Sequence, residues 1–157
     1  MCIRDRFLIA SNHSEKFSLI ELAGLVIFIL AFIMESVADY QKLAFLTKMK
    51  KEGKQKQVCN VGLWKFCRHP NYFAEWMVWN GLIIASVPSY IALFDSEIFW
   101  LWIFIGIALL YTSRIMYITL VYLTGAVPSE YYSTQKRPAY KAYQQSTNIF
   151  FPGPKKV

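Results

Sequence analysis

Long apolar blocks alternate with short charged segments along this chain of 157 residues. The blocks cover residues 17–34, 72–94 and 98–123. Each is close to the roughly 20 residues that a helix needs to cross a bilayer. The pattern predicts an all-α, polytopic membrane protein with about three spanning helices.

The polar segments predict where the helices begin and end. The lysine-rich stretch that starts at Lys42 contains the helix breaker Gly53, and we interpret it as part of a cytosolic loop over residues 42–71. Pro88 is expected to kink or end the second span. Gly125 and Pro128 are expected to stop the third, which leaves a polar cytosolic tail over residues 124–157.

Composition and charge agree with a membrane protein. Hydrophobic residues make up 55% of the chain and charged residues 17%, and the net charge is +7. Because Lys and Arg cluster in the loop and the tail, the positive-inside rule places both segments in the cytosol. The same placement argues against a nucleic-acid partner. The endoplasmic reticulum membrane of a eukaryote and the inner membrane of a bacterium both fit.

Two short features limit the interpretation further. Residues 1–16 open with Met-Cys-Ile-Arg-Asp-Arg, which resembles a translated adapter, so we treat them as a leader of doubtful origin before a domain over 17–157. The three cysteines form no CxxC pair and the chain has two histidines. We therefore predict no metal site and no disulfide framework.

The densest group of chemically active residues lies where the loop enters the second span. Pro70 suits the first position of a helix, and the free N–H groups of that turn lie beside Arg68 and His69. These features could form a phosphate or carboxylate site. A membrane-interface turn with cationic and aromatic anchors is the alternative.

Glu75 stands near the start of the same span, on the helix face of Asn71 and close to Tyr72. A carboxylate at this depth is expensive unless it faces protein or water. We expect this face to orient a polar substrate group. A hydrogen bond to a neighbour at the headgroup level is the alternative.

Three more charged residues lie in or beside spans. Glu35 and Asp39 share one face of the first helix, which indicates a bound partner or simple solvation at the helix end. Arg114 interrupts the third block. It could meet Glu75 or a cofactor phosphate, or extend to the cytosolic interface.

Together these residues resemble the C-terminal region of the steroid 5-alpha-reductase superfamily, in particular a poorly characterised membrane branch. An Arg-His-Pro-x-Tyr segment also occurs in isoprenylcysteine carboxyl methyltransferases, which have a related fold. The matching pieces are Glu35, Ala38-Asp39, Gln41-Lys42, Gly62-Leu63-Trp64, Arg68 to Tyr72, Glu75, Thr124-Gly125, Pro128 to Glu130, Arg137 to Tyr143 and Phe151-Pro152.

The resemblance implies a helical membrane enzyme that binds NADPH from the cytosol and reduces an activated carbon–carbon double bond of a lipid or sterol-like substrate. It also implies further spans upstream, so we expect this chain to be a C-terminal fragment that could be inactive alone. Glu75 is the predicted catalytic residue. The predicted cofactor-binding residues are Asp39, Arg68, His69, Asn71, Tyr72, Arg114, Glu130, Arg137, Tyr140 and Tyr143.

Two other functions remain open. The first is an isoprenylcysteine-type carboxyl methyltransferase that uses S-adenosylmethionine. Such enzymes usually carry a run of acidic residues after the last span, whereas this tail has only Glu130. The second is a non-catalytic membrane scaffold, with membrane lipids as partners. In the tail, Tyr140 and Tyr143 could also anchor a short helix at the membrane surface, and we expect Phe150 and Phe151 to act as anchors.

Overall fold

The regular structure of the protein is helical. In a computed structural model, residues 17–54, 56–95 and 98–155 are described, and the predicted leader lies outside them. Within these ranges the one β-type pairing is an isolated bridge between Cys67 and Asn148. The elements are α1 (Leu19–Lys51), a 3-10 turn (Gly62–Lys65), α2 (Pro70–Ala92), a 3-10 turn (Leu93–Asp95), α3 (Phe99–Ile118), a π-helical segment (Thr119–Leu123), α4 (Ala126–Lys136) and α5 (Tyr140–Ser146).

Two of the described helical segments are long and apolar enough to cross a membrane, namely α1 and the helical run Phe99–Lys136. The all-α prediction is confirmed. The second predicted span forms α2, but its polar residues Glu75 and Asn80 and its Pro88 lower its hydropathy. Among the described helices, α2 does not meet the criterion of length and hydropathy that α1 and Phe99–Lys136 meet. The figure of three spans therefore stays a prediction.

The first helix is longer than the apolar pattern predicted. We predicted a loop from Lys42, and this prediction was wrong over its first ten residues. These residues are helical, because α1 continues to Lys51. Lysines in the last turn favour this extension, since cations stabilise the negative end of the helix dipole. Gly53 ends the helix with φ of +70°, while Gly53 N–H and Lys54 N–H donate back to the carbonyls of Lys50 and Met49. This is the Schellman pattern, which favours glycine at that position.

The prolines have different effects. Pro70 begins α2, as predicted, where its missing N–H is not needed. Pro88 does not end this helix, which runs on to Ala92. The α-helical part of the third span ends at Ile118, and Pro128 lies in the first turn of α4. The predicted tail is therefore largely helical.

The chain forms two compact units, and the first contains described residues 17–31 and 76–117. Its helices approach closely through small residues. A Cβ atom on Gly24 would lie 2.4 Å from the Ala85 nitrogen, and one on Gly81 would lie 2.7 Å from the Phe28 nitrogen. Small residues four positions apart allow this contact between membrane helices. Beside it, Trp76 donates to the Ser113 carbonyl at 3.1 Å.

The second unit contains residues 32–75 and 118–155. Trp64 lies at its centre, 3% exposed, and its indole N–H donates to the Ala38 carbonyl at 2.9 Å. Gly62 adopts φ of +53°, and a Cβ atom there would collide with the Gln41 side chain. The Gln41 oxygen accepts a hydrogen bond from Leu63 N–H at 2.9 Å. These contacts fix the 3-10 turn against α1.

The tail closes this second unit. Phe150 is 1% exposed and packs edge-on against Phe73, with ring centroids 5.8 Å apart. Its predicted role as a membrane anchor was wrong, because the ring is part of the core. Phe151 is exposed, as an anchor would be.

The glycine contact in the first unit can be tested by overpacking. We expect Gly24→Val to lower the free energy of unfolding in detergent by about 1–3 kcal/mol, the usual cost of forcing extra methyl groups into a packed contact. The neighbouring Ala23 is exposed, so Ala23→Val is the matched control. Equal thermal stability of the two variants would contradict the packing described.

Candidate functional site

A buried ion pair joins the start of α2 to α4. Arg68 and Glu130 are 8% and 5% exposed. Arg68 Nε donates to Glu130 Oε1 at 2.6 Å, and Nη2 donates to Oε2 at 3.1 Å. Nη1 donates to the carbonyls of Gln144 and Thr147 at 2.7 and 2.5 Å. Four of the five guanidinium N–H donors are thus used inside the protein.

Three further side chains bind the Glu130 carboxylate. His69 Nε2 lies 3.1 Å from Oε1, Gln144 donates to Oε2 at 2.7 Å, and the Tyr140 hydroxyl also hydrogen-bonds to this carboxylate. Burial raises the pKa of Tyr140, so the hydroxyl keeps its proton and donates. Glu130 is therefore the acceptor at the centre of a buried polar network.

His69 is neutral in this network near pH 7. Burial lowers the pKa of His69, although the hydrogen bond to Glu130 and the charge of that carboxylate oppose the shift. The neutral ring must carry its proton on Nε2 to donate to Glu130. The His69 ring also stacks on Tyr72, with ring centroids 5.2 Å apart.

A second set of contacts connects α5 to the 3-10 turn Gly62–Lys65. The Tyr143 hydroxyl donates to the Trp64 carbonyl, and burial raises the pKa of this phenol. The Lys42 ammonium lies 4.6 Å from the centre of the Trp64 ring, within the range of a cation–π interaction. Residues from α1, the turn and α5 therefore meet around Trp64.

Carboxylates from α1 and α2 form an acidic cluster within the second unit. Glu35 interacts electrostatically with Glu75 and Asp39, and Tyr72 interacts with Glu75 and Asp39. The predicted catalytic residue thus has two acidic neighbours from the first helix. Their mutual repulsion is relieved when one of them carries a proton or when a hydrogen-bond donor approaches.

In the predicted motif, Asn71 has a polar side-chain atom without a hydrogen-bond partner among the described residues. Its Oδ1 atom is buried and has no hydrogen-bond partner in the described structure. Buried polar atoms without partners are rare in native proteins. This oxygen can accept a hydrogen bond from a ligand that carries an amide or hydroxyl group.

The structure separates the predicted site residues into groups. One group forms the Glu130 network, and another gathers around the acidic cluster. Arg137 lies at the end of α4 in the same unit. Arg114 lies on α3 in the other unit, is exposed, and forms no ion pair within the described residues. The predicted roles of these residues toward a ligand stay predictions.

Sequence reasoning missed several members of the network. Gln144 follows Tyr140 by four residues and so lies on the same helix face, a spacing that could have identified it. Thr147 contributes its backbone carbonyl, which no side-chain pattern reveals. Asn60 also has a buried Oδ1 without a partner, and no signal in the sequence set it apart.

The buried thiols offer no nucleophile. Cys59 and Cys67 are free, and burial raises the pKa of Cys67 to about 11. The thiol is therefore protonated at neutral pH and inert as a nucleophile. Over residues 17–54, 56–95 and 98–155, no group of His, Cys, Asp or Glu is arranged to hold a metal ion.

A family described as protein of unknown function (DUF1295) matches residues 5–147, which is most of the chain. No curated protein and no solved structure matches.

The buried ion pair should be essential for folding. We expect Glu130→Gln to lower the free energy of unfolding by about 3–5 kcal/mol, because it leaves the Arg68 charge buried without a counter-charge. Glu52→Gln is the control, since the ion pairs of Glu52 among the described residues are with the exposed Lys48 and Lys54, and the change should affect stability little. Similar denaturant midpoints for both variants would overturn the role assigned to Glu130.

His69 should make stability depend on pH. Its pKa is lower in the folded chain than the ordinary 6.5, so the unfolded chain binds this proton first as pH falls. Stability contributed by neutral His69 is fully present above pH 6.5 and declines as pH falls from there toward the lower folded pKa. Unfolding measured from pH 8 to 5 should show a smaller decline for His69→Gln than for the wild type. A constant difference between them across this range would refute the assignment.

Proposed function

The chain belongs to the family described as protein of unknown function DUF1295, and we propose that it is a membrane reductase. The proposed reaction transfers hydride from NADPH to an activated carbon–carbon double bond of a lipid or sterol-like substrate. The observation that carries the proposal is the buried, unpartnered Oδ1 of Asn71. It lies one helical turn before Glu75 in the segment that resembles steroid 5-alpha-reductases.

We propose separate roles for Asn71, Tyr72 and Arg68 toward a nucleotide cofactor. Asn71 offers an acceptor for an amide or hydroxyl donor, and NADPH carries both kinds of group. Tyr72 is half-buried and stacks on His69, so its ring presents a fixed edge beside Asn71. Arg68 is proposed to act indirectly, because its donors already hold Glu130, Gln144 and Thr147. It keeps the start of α2 in place under the cofactor.

Glu75 would act on the substrate. When hydride adds to the β-carbon of an enone, negative charge develops on the carbonyl oxygen, and a hydrogen bond to that oxygen stabilises it. A protonated Glu75 would donate this bond, and Glu35 and Asp39 of α1 are its acidic neighbours. A proton from solvent then completes the product at the α-carbon. Bound NADPH would supply the hydride, which is the cofactor's own chemistry.

The two helical segments able to cross a bilayer support a membrane-dissolved substrate. We propose that the lysine-rich C-terminal end of α1 and the tail face the cytosol, where NADPH is available. The methyltransferase alternative is less well supported. Its usual acidic run after the last span is missing, and Glu130 is already occupied by Arg68 and His69.

Cofactor binding tests the proposal directly. We expect the detergent-solubilised chain to bind NADPH and not S-adenosylmethionine when both are titrated in parallel. Asn71→Ala should weaken NADPH binding by about tenfold, the effect of losing one hydrogen bond. Gln145→Ala is the control, because Gln145 is exposed on α5. Arg68→Ala is unsuitable, since it would disturb the fold.

The outcomes separate the candidate functions. S-adenosylmethionine binding that is lost in Asn71→Ala would move the protein to the methyltransferases. Binding of neither ligand would reject the reductase for this chain and favour a scaffold. If NADPH binds, oxidation of NADPH in the presence of enone lipids should fall strongly in Glu75→Gln while NADPH affinity is retained.

A further inference from the structure

An open apolar groove runs between α2 and α3 in the first unit, with a volume of about 500 Å³. Three of the side chains that line it, Ile91, Ile107 and Leu110, are 59%, 53% and 77% exposed. The lining also includes Ile83 and Val87 of α2 and Ile103 of α3. Because α3 belongs to a helical run that is able to cross a membrane, we place the open side of this groove against lipid.

Contacts between the two helices fix the groove at both ends. At one end Trp102 Nε1 donates to the Tyr90 carbonyl at 3.1 Å, and the two rings stack with centroids 4.8 Å apart. At the other end Ser113 Oγ donates to Asn80 Oδ1 at 2.8 Å. Between these contacts Gly106 has no side chain, and a Cβ atom there would collide with Tyr90. The packing of the helices therefore forms the groove without help from a ligand.

Arg114 continues the row of groove residues along α3. It follows Leu110 by four residues and Ile107 by seven, so the three side chains share one helix face. Arg114 is exposed, and over residues 17–54, 56–95 and 98–155 it forms no ion pair. A charge within a membrane-spanning helix is costly unless it has a partner or reaches the interface. We therefore expect an anion at this end of the groove.

The dimensions of α3 match those of one leaflet. At about 1.5 Å per residue, Arg114 lies roughly 22 Å from Phe99 along the helix axis, and the hydrocarbon core is about 30 Å thick. With Phe99 at one boundary, the long Arg114 side chain reaches the headgroups at the other. The groove runs from there to Trp102, roughly 18 Å away, which is close to the half-thickness of about 15 Å.

We propose that the groove between α2 and α3 is a phospholipid site, in which Arg114 binds the phosphate and the groove holds one acyl chain. The guanidinium group forms paired hydrogen bonds with phosphate oxygens. Charge complementarity favours this occupant, because a sterol or a further helix could fill the groove but would leave Arg114 without a counter-charge. The inference does not rest on the proposed function. Arg114 would hold a lipid and not the cofactor.

The test separates the phosphate from the chains. Native mass spectrometry of the full chain in detergent gives dissociation constants for dioleoyl phosphatidylglycerol, for dioleoylglycerol, which lacks the phosphate, and for glycerol 3-phosphate, which lacks the chains. Cholesterol is the fourth probe. Arg114→Gln removes the charge and Arg114→Lys retains it, while Lys141→Gln removes an exposed charge on α5. Thermal unfolding without lipid reports whether each variant is folded.

A second pair of variants tests the groove itself. Val87→Phe fills it with a larger side chain, because Val87 lines the groove. Leu101→Phe is the matched control, since Leu101 lies on α3 outside the groove and is 36% exposed. The two variants introduce the same ring, so a difference between them reports the position of the acyl chain.

We expect Arg114→Gln to weaken phosphatidylglycerol by about tenfold or more, the effect of losing a charge-assisted hydrogen bond, and to leave dioleoylglycerol unchanged. Arg114→Lys should lose less. Val87→Phe should weaken both lipids, whereas Leu101→Phe and Lys141→Gln should match the wild type. If Arg114→Gln fails to fold, the wild type still decides, because phosphatidylglycerol must then bind more tightly than each of the other three probes.

Four results would overturn the inference. Equal affinity of the wild type for phosphatidylglycerol and dioleoylglycerol would give the phosphate no role. Glycerol 3-phosphate bound as tightly as phosphatidylglycerol would mean that Arg114 takes a free phosphate and that the groove takes no part. Unchanged lipid affinity in Val87→Phe would place the acyl chain elsewhere. Tighter binding of cholesterol than of phosphatidylglycerol would assign the groove to a sterol.

Discussion

The buried pair of Arg68 and Glu130 is the constraint on which the second unit depends. Taking two charges out of water costs several kcal/mol per ion, and attraction offsets this only with good geometry and full hydrogen bonding. Here the pair is bidentate, and His69, Gln144 and Tyr140 also hydrogen-bond to Glu130. The start of α2, α4 and α5 are therefore tied together by one polar network, although they are far apart in sequence.

The predicted site residues fall into two groups, according to whether their polar side-chain atoms already have partners within the protein. Arg68, Glu130 and Tyr143 use their polar atoms within the protein, so they act as scaffold. Asn71 keeps an unpartnered oxygen, and Arg137 has no ion pair among the described residues. A ligand would be held by the second group and positioned by the first. Arg68 and Asn71 belong to one sequence motif but differ in whether their polar side-chain atoms have partners within the protein.

The helical class and the start at Pro70 followed from hydrophobic pattern and proline chemistry alone. The end of α1 did not, because a lysine-rich stretch can be a solvated loop or the last turns of a helix, and the Schellman contacts of Gly53 decide between them. The resemblance named Arg68 and Glu130 as site residues, but nothing local to either residue predicts that they pair. Long-range contacts of this kind depend on the fold, as does the burial of Phe150.

The central claim is that NADPH binds the second unit around α2 and α5. Hydrogen exchange of backbone amides, measured with and without NADPH, tests it without knowledge of the substrate. The account predicts slower exchange over residues 59–75 and 137–147 when NADPH is bound, and no change over residues 99–113 of α3. Unchanged exchange throughout at saturating NADPH, or protection confined to α3, would contradict it.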